Sequence, residues 1–325
     1  MRSCRSPTGE VIDLGDSILL PGLMDMEVNL LMGGRGEVPA CPRCRTIRRP
    51  GCCVRSAMPA ARCAPGSPPC ATSGLFVKTG GYLLDVALGK AIDAGWIDGP
   101  RIVPAGHAIT PTGGHLDPTM FAAFMPGVLE LTVEEGIANG VDEIRKAVRY
   151  QIKHGAQLIK VCCSGRVMSL HRRGRRAALF GRGAARDRRR GAPARACGSP
   201  RTRTAPEAVK HAVECGIDCI EHGFLMDDEA IKMLVDNDRF LVTTRRLAEA
   251  MDVSRAPKEL QDKAAEMFPK ARTSIKAAYE AGVKIAVGTD APAIPHGKNA
   301  DELVTLVDWG MPPAAVLRAA TVVRR

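Results

Sequence analysis

Three residues whose side chains could build a metal centre lie at or near the ends of apolar segments. Lys160 lies in QLIKVCC, His222 in CIEHGF and Asp290 in AVGTDAP. A lysine in an apolar strand is costly unless it is paired or modified, and its carbamate would be a carboxylate-like oxygen ligand. With an imidazole and an aspartate it could hold one or two divalent metals, and the aspartate could also take a proton from activated water. Each residue alone is more often structural, but three on different strands predict a site.

The elements that position these residues repeat along the chain as an amphipathic helix, a glycine and a short apolar strand. Helices are predicted over 134–155, 206–216 and 257–282, directly before QLIKVCC, IDCIEHG and VKIAVGTDAP. The glycines suit left-handed helix C-caps, and strands that are apolar on both faces indicate a parallel sheet covered by helices. The alternation predicts either a doubly wound sheet or a (β/α)8 barrel.

The positions of polar residues favour the barrel. His107, Lys160, His222, Thr244 and Asp290 each lie at or near the C-terminal end of a predicted strand. In a TIM-type barrel these ends converge on one mouth, where the chemistry of such folds is found. A doubly wound sheet more often carries a glycine-rich phosphate loop, and no G-x-G-x-x-G or Walker sequence stands in that context. We therefore predict an α/β fold of the (β/α)8 TIM-barrel type.

The net charge of +11 is concentrated in two arginine-rich windows. Residues 39–74 contain six arginines and no acid, and residues 169–205 contain twelve arginines and one acid, while neither window contains lysine. The rest of the chain carries a net charge of −6. The basic composition therefore says nothing about the body of the fold. Because neither a transmembrane run nor the apolar core of a signal peptide is seen, we expect a cytoplasmic protein.

An ordered set of motifs resembles one family. The first barrel strand of the amidohydrolase superfamily resembles the segment VIDLGDSILLPGLMDMEVNLL. Four later motifs follow in the order found in the imidazolonepropionase-like branch of that superfamily, namely TPTGGHLDP, QLIKVCCSG, CIEHGF and VGTDAP. This branch includes Xaa-Pro and Xaa-Arg dipeptidases. The resemblance covers about 11–38, 75–168 and 206–322. It implies a (β/α)8 barrel and metal-dependent cleavage of C–N bonds by water.

The resemblance also implies roles for individual residues. Lys160 corresponds to the carboxylated lysine, His222 to the sixth-strand metal ligand, and Asp290 to the eighth-strand metal ligand and catalytic base. His115, in GGH, corresponds to a residue near the mouth that contacts substrate. The implied cofactor is a divalent metal, zinc, as one or two ions. The implied partner is a small-molecule or dipeptide-like substrate. We expect no membrane partner and rank nucleic acid below a small-molecule substrate, and a homo-oligomer stays open.

The first-strand motif departs from the family. Where the family has His-x-His, this chain has Glu27-Val28-Asn29, so the spacing is kept while the ligands change. Residues two apart on a strand face the same side, and a carboxylate and an amide can still coordinate through oxygen. We expect Glu27 and Asn29 to be a weaker ligand pair than two imidazoles, which could mean a changed metal preference, one metal, or none.

The arginine-rich windows suggest out-of-frame translation. Arg201-Thr202-Arg203-Thr204-Ala205 can be written in codons that, read two bases later, give His-Thr-His-Gly, which matches the missing strand-five motif. We hypothesise that both windows are frame-shifted, which would disrupt the second and fifth strands. The predicted organisation is a remnant β-sandwich segment at 1–22 and a hydrolase barrel at 23–325, with irregular islands at 39–74 and 169–205.

Two other functions compete with an active hydrolase. A frame-shifted, catalytically inactive remnant would hold no stoichiometric metal. An arginine-rich protein that associates with RNA would show strongly salt-dependent binding. The windows contain almost no aromatic residue for base stacking, Phe180 excepted, so we rank the RNA hypothesis below the remnant.

Overall fold

A computed structural model describes part of the chain. The described residues are 15–30, 69–71, 83–114, 116–117, 131–163, 194–198, 205–250, 254 and 258–322. Seven parallel strands lie within them: β1 (Pro69–Ala71), β2 (Arg101–Val103), β3 (Ile159–Cys162), β4 (Ala194–Gly198), β5 (Cys219–His222), β6 (Phe240–Thr243) and β7 (Lys284–Val287).

Helices alternate with these strands along the described chain. They are α1 (Leu84–Asp93), α2 (Val141–Lys153), α3 (Ala205–Glu214), α4 (Asp228–Asp236), α5 (Arg246–Ala250), α6 (Lys258–Glu280), α7 (Asp301–Asp308) and α8 (Pro313–Thr321), with a 3-10 turn at Val133–Glu135. The predicted helices 206–216 and 257–282 correspond closely to α3 and α6. The predicted helix 134–155 is divided into the 3-10 turn and α2.

Consecutive strands are neighbours in a five-stranded sheet with the order β3-β4-β5-β6-β7, and every pair is parallel. The register pairs Lys160 with Arg195, and Gly198 with His222. A second, two-stranded sheet joins β1 to β2. The α/β class and the parallel pairing predicted from the sequence are therefore confirmed.

Two further extended segments continue the order at both edges of the large sheet. Segment 24–29 lies along β7, where Met26 donates its backbone N–H to Val287 and Val28 bridges Ala291 in parallel. Segment 104–110 lies along β3, where Ile109 donates to Lys160 and accepts from Cys162. The ends of these segments and the C-terminal ends of the strands therefore meet at one edge of the structure.

Glycine ends the helices that precede β3, β5 and β7, as the sequence predicts. Gly155, Gly216 and Gly282 have φ angles of 108°, 77° and 87°. This left-handed conformation strains residues that carry a Cβ, and it turns the chain from the helix into the strand.

Inside the arginine-rich windows the structure corrects the expectation of irregular chain at two places. β1 lies in the first window, and β4 in the second pairs with β3 on one side and β5 on the other. Strand pairing uses backbone N–H and C=O groups, which any residue except proline supplies in full, so an unusual sequence can still fill the gap between two strands. Apart from Ala205, where α3 begins, the remaining residues of both windows lie outside the described residues, and these include 201–204 of the hypothesised His-Thr-His-Gly.

The main hydrophobic core lies between the large sheet and its helices. Its buried members include Ile144 of α2, Ile220 of β5, Leu241 of β6 and Ile275 of α6. These side chains cover the strand faces and hold the polar strand ends in place. Among the described residues, no helix combines the length and apolar character needed to cross a membrane.

Candidate metal centre

The buried ammonium group of Lys160 is the centre of a charged cluster. Its Nζ lies 3.2 Å from Oε1 of Glu27 and also contacts Oε2 of Glu221. All three side chains are about 1% exposed. The prediction that Lys160 needs a partner is thus met by two carboxylates, and an ion pair so deeply buried is costly unless its geometry is good.

His222 joins the cluster through an unusual backbone conformation at the end of β5. Its φ is 69°, its Nδ1 lies 2.7 Å from Oγ1 of Thr244, and its Nε2 lies 3.9 Å from Oε1 of Glu27. The Thr244 hydroxyl fixes the ring, which leaves Nε2 turned toward the carboxylate. Lys160 and His222 therefore approach the same oxygen of Glu27.

Asp290 and Asn29 form the adjoining part of the site. Nδ2 of Asn29 donates to Oδ1 of Asp290 at 3.1 Å, and the backbone N–H of Asp290 donates to the carbonyl of Glu27 at 2.8 Å. Asp290 has a φ of 57°, again in the left-handed region. The structure thus brings Asp290 beside Glu27 and Asn29, and a strained backbone at such a position is typical of functional sites.

The buried carboxylate of Asp25 anchors this part of the site through hydrogen bonds. Its carboxylate accepts hydrogen bonds from the hydroxyl and N–H of Thr289, from Nδ2 of Asn299 and from the N–H of Glu27. Burial raises the pKa of Asp25 to about 6, although these hydrogen bonds lower it. Close packing adds to this anchoring, because a Cβ on Gly288 would lie 2.8 Å from Cβ of Glu27.

The donor set fits a divalent metal ion. One ligand atom each from Glu27, Glu221 and His222 lies within 4.8 Å of the others, and all three residues are buried. Bonds of about 2.0–2.2 Å place the ligands of one ion within about 4 Å of each other, so small side-chain shifts suffice. Two carboxylates and one imidazole are harder ligands than the His-rich set that the resemblance implies.

Sequence reasoning missed Glu221. Alternation along a strand places neighbours on opposite faces, so Glu221 and His222 are not expected to face the same site. The left-handed conformation of His222 breaks that alternation and brings both side chains toward Glu27. One signal in the sequence could have identified Glu221, namely a lone carboxylate in the apolar strand CIEH. A buried acid needs a cation and the buried Lys160 needs an anion, so the two residues could have been predicted to pair. His115 lies outside the described residues.

The chain is similar to curated and structurally characterised hydrolases, although no protein-family model matches it. It is 33% identical to the ochratoxinase of Aspergillus niger over 264 residues, which covers 74% of this chain and 52% of that protein. The chain therefore spans about half the length of the curated relatives it matches.

Two solved structures share both fold and sequence similarity. A crystal structure of a Xaa-Pro dipeptidase with methionine bound in its active site is 30% identical, with a TM-score of 0.77 over 92% of this chain and 73% of that one. A crystal structure of an amidohydrolase is 28% identical, with a TM-score of 0.79 over 98% and 77%. Identity at this level across most of both chains shows common descent as well as a common fold.

Proposed function

This chain belongs to the amidohydrolase superfamily, and on that premise we propose that it is a metal-dependent hydrolase of carbon–nitrogen bonds. The observation that carries the proposal is the buried group of Glu27, Glu221 and His222, whose ligand atoms converge at the strand ends. The hydrolases named among its relatives support the reaction class.

We propose that the fold is a (β/α)8 barrel. Eight extended, parallel segments lie side by side. Their order is 24–29, β7, β6, β5, β4, β3, the stretch formed by β2 and segment 104–110, and β1. Contact between β1 and segment 24–29 would close this order into a cylinder. Its mouth would then hold every member of the cluster, as the C-terminal face of such barrels does.

The metal would be held by Glu27, Glu221 and His222. The resemblance implies the carbamate of Lys160 and the carboxylate of Asp290 as further ligands, and Asn29 stands at the altered first-strand position. When bound, a divalent ion such as zinc supplies Lewis-acid polarisation of the substrate carbonyl and lowers the pKa of water. The Asp290 carboxylate accepts the proton of the attacking water and returns it to the leaving nitrogen. Thr244 keeps the His222 ring in its tautomer, since its hydroxyl contacts Nδ1.

The charge of Lys160 decides how many metal ions the ligand set balances. As an ammonium, Lys160 leaves the three carboxylates Glu27, Glu221 and Asp290 with a net charge of about −2, which one divalent ion neutralises. As a carbamate, it brings the set to about −4, which two divalent ions neutralise. We therefore propose that carboxylation of Lys160 and a second metal ion occur together.

The substrate class that we propose is a dipeptide or N-acyl amino acid. The Xaa-Pro dipeptidase with methionine in its active site supports a small amino-acid-like ligand. Cytoplasmic location stays a prediction.

Hydrolysis of a panel of Xaa-Pro dipeptides and N-acyl amino acids by the purified, zinc- or manganese-loaded chain tests the proposal. We expect turnover that a chelator abolishes and added metal restores. His222→Asn should abolish it, whereas the exposed control His211→Asn should retain it. Turnover that survives both the chelator and His222→Asn would contradict the proposal, and the absence of turnover would favour the inactive remnant.

A further inference from the structure

A cleft on the outer face of α2 lies apart from the metal cluster. Its volume is about 380 Å³, and it is lined by residues 132–134 at the 3-10 turn and by Lys146, Arg149, Tyr150 and Lys153 of α2. This volume falls within the range of clefts that hold small molecules in proteins. The lining is rich in cations, which indicates the charge of a ligand.

The periodicity of α2 places these cations on one side of the helix. Ile144 and Val148 are buried and pack in the main core. Lys146, Arg149 and Lys153 are exposed, and because three and then four residues separate them they lie along one face. This face is opposite to the packed one, so α2 presents a row of three cations to the cleft.

The acids at the start of α2 are engaged elsewhere. Asp142 pairs with Arg145 at 3.2 Å, and the carboxylate of Glu143 accepts a backbone N–H at 2.6 Å. In the part of the chain that the structure describes, neither Lys146 nor Lys153 forms an ion pair. Two of the three cations are therefore available to a ligand.

Exposed lysines on other helices are neutralised within the helix. Lys232 contacts Asp236 and Lys270 contacts Glu266, each at a distance of four residues along the chain. On α2 the residues at this spacing are cations instead, and like charges three or four residues apart destabilise a helix. An anion bound between them would remove that repulsion.

The opposite wall of the cleft is held in place by hydrogen bonds. The buried amide of Gln151 donates to the carbonyl of Glu134 at 3.4 Å and accepts the N–H of His107 at 3.0 Å. The Thr132 hydroxyl accepts the N–H of Glu134, and the carboxylate of Glu135 accepts the N–H of Thr132. These contacts tie the turn to α2, so the cleft is formed before a ligand binds.

The chemistry of the lining favours an anion that carries an organic group. Three cations and the carboxylate of Glu134 give the described lining a net charge of +2, and a phosphate monoester carries about −2 at neutral pH. Burial and the carboxylates of Glu134 and Glu135 raise the pKa of Tyr150, so its hydroxyl stays protonated. The ring of Tyr150 and the side chain of Val133 add apolar surface.

We propose that this cleft binds a small organic phosphate. Arginine and lysine are the side chains that proteins use to hold phosphate groups, and the organic part would lie against Tyr150 and Val133. Single-stranded RNA would need several aromatic side chains for base stacking, and Tyr150 is the one aromatic residue in the described lining. The inference goes beyond the proposed function, because neither the metal cluster nor hydrolysis enters it.

Binding of benzyl phosphate and of benzyl alcohol to the purified chain, followed by ligand-observed NMR at low ionic strength, tests this inference. The two probes differ only in the phosphate group. We expect the wild type to bind benzyl phosphate at least about tenfold more tightly, because charge-assisted hydrogen bonds contribute this much. Replacing both lysines, Lys146→Gln with Lys153→Gln, should reduce this preference to about threefold or less.

The matched control is the double substitution Lys270→Gln with Lys276→Gln, which removes the same charge from exposed positions of α6 and should keep the full preference. Absence of binding, equal affinities for the two probes, or a preference that survives the α2 substitutions would overturn the inference. Binding of benzyl phosphate that a chelator abolishes would place it at the metal cluster and overturn it as well. Tighter binding of a short single-stranded RNA, lost in the α2 variant, would assign the cleft to nucleic acid instead.

Discussion

The ammonium of Lys160 on β3 contacts the carboxylate of Glu221 on β5, although strand β4 lies between them. Two strand spacings amount to about 9–10 Å, so only long side chains that converge on one side can bridge this gap. The left-handed conformation of His222 brings the side chains of Glu221 and His222 toward the same site. This ion pair fixes the relative positions of two strands that share no backbone hydrogen bond.

Removing the Lys160 cation should strongly destabilise the metal-free protein. Lys160→Met leaves the buried carboxylates of Glu27 and Glu221 facing each other without a cation, and such a change costs about 3–5 kcal/mol. Chemical denaturation gives the free energy of unfolding, and the exposed control Lys153→Met should change it little. Equal effects of the two substitutions would show that Lys160 is not paired as described.

Removing the Asp25 carboxylate should lower both stability and hydrolysis. Asp25→Ala leaves the buried donors of Thr289, Glu27 and Asn299 without their acceptor, which should cost at least about 2 kcal/mol. Because Asp25 holds the backbone of Glu27, kcat should fall by more than the folded fraction does. The exposed control Asp16→Ala should leave both quantities unchanged, and an unchanged kcat in Asp25→Ala would argue against a positioning role.

Glu302 should make stability depend on pH. Burial raises the pKa of Glu302 from 4.5 to about 7, while hydrogen bonds from the N–H groups of Arg246 and Arg245 act against this rise. A raised pKa means that the folded state binds the proton more tightly, so the contribution is present below pH 4.5 and is lost as the pH rises through 7. Relative to Glu302→Gln, the wild type should lose on the order of 3 kcal/mol over this range. Denaturation curves of both proteins at several pH values check this. A wild type that becomes more stable relative to Glu302→Gln as the pH rises would contradict the prediction.

Much of the fold could be predicted because helix and strand leave periodic signals. The glycine-ended helices before β3, β5 and β7 are found where the pattern places them, and the parallel pairing follows from strands that are apolar on both faces. β4 was not predicted, because ARACG lacks the apolar residues of a buried strand and its pairing rests on backbone groups.

The site was harder to predict than the fold. Lys160 is recognisable in the sequence as a lone cation in an apolar strand. Glu221 is not, because neighbouring residues of a strand are expected to face opposite sides, and only the structure shows that His222 departs from this pattern. Charge and periodicity therefore predict where a buried ion must be paired, but not which partner reaches it.

Metal analysis of the purified chain tests the central claim most directly. The account predicts at least one equivalent of a divalent metal per chain, two where mass spectrometry shows that Lys160 carries carbon dioxide. His222→Asn should lose this metal, and the exposed control His211→Asn should keep it. A folded wild-type protein without stoichiometric metal after incubation with zinc and manganese would contradict the account.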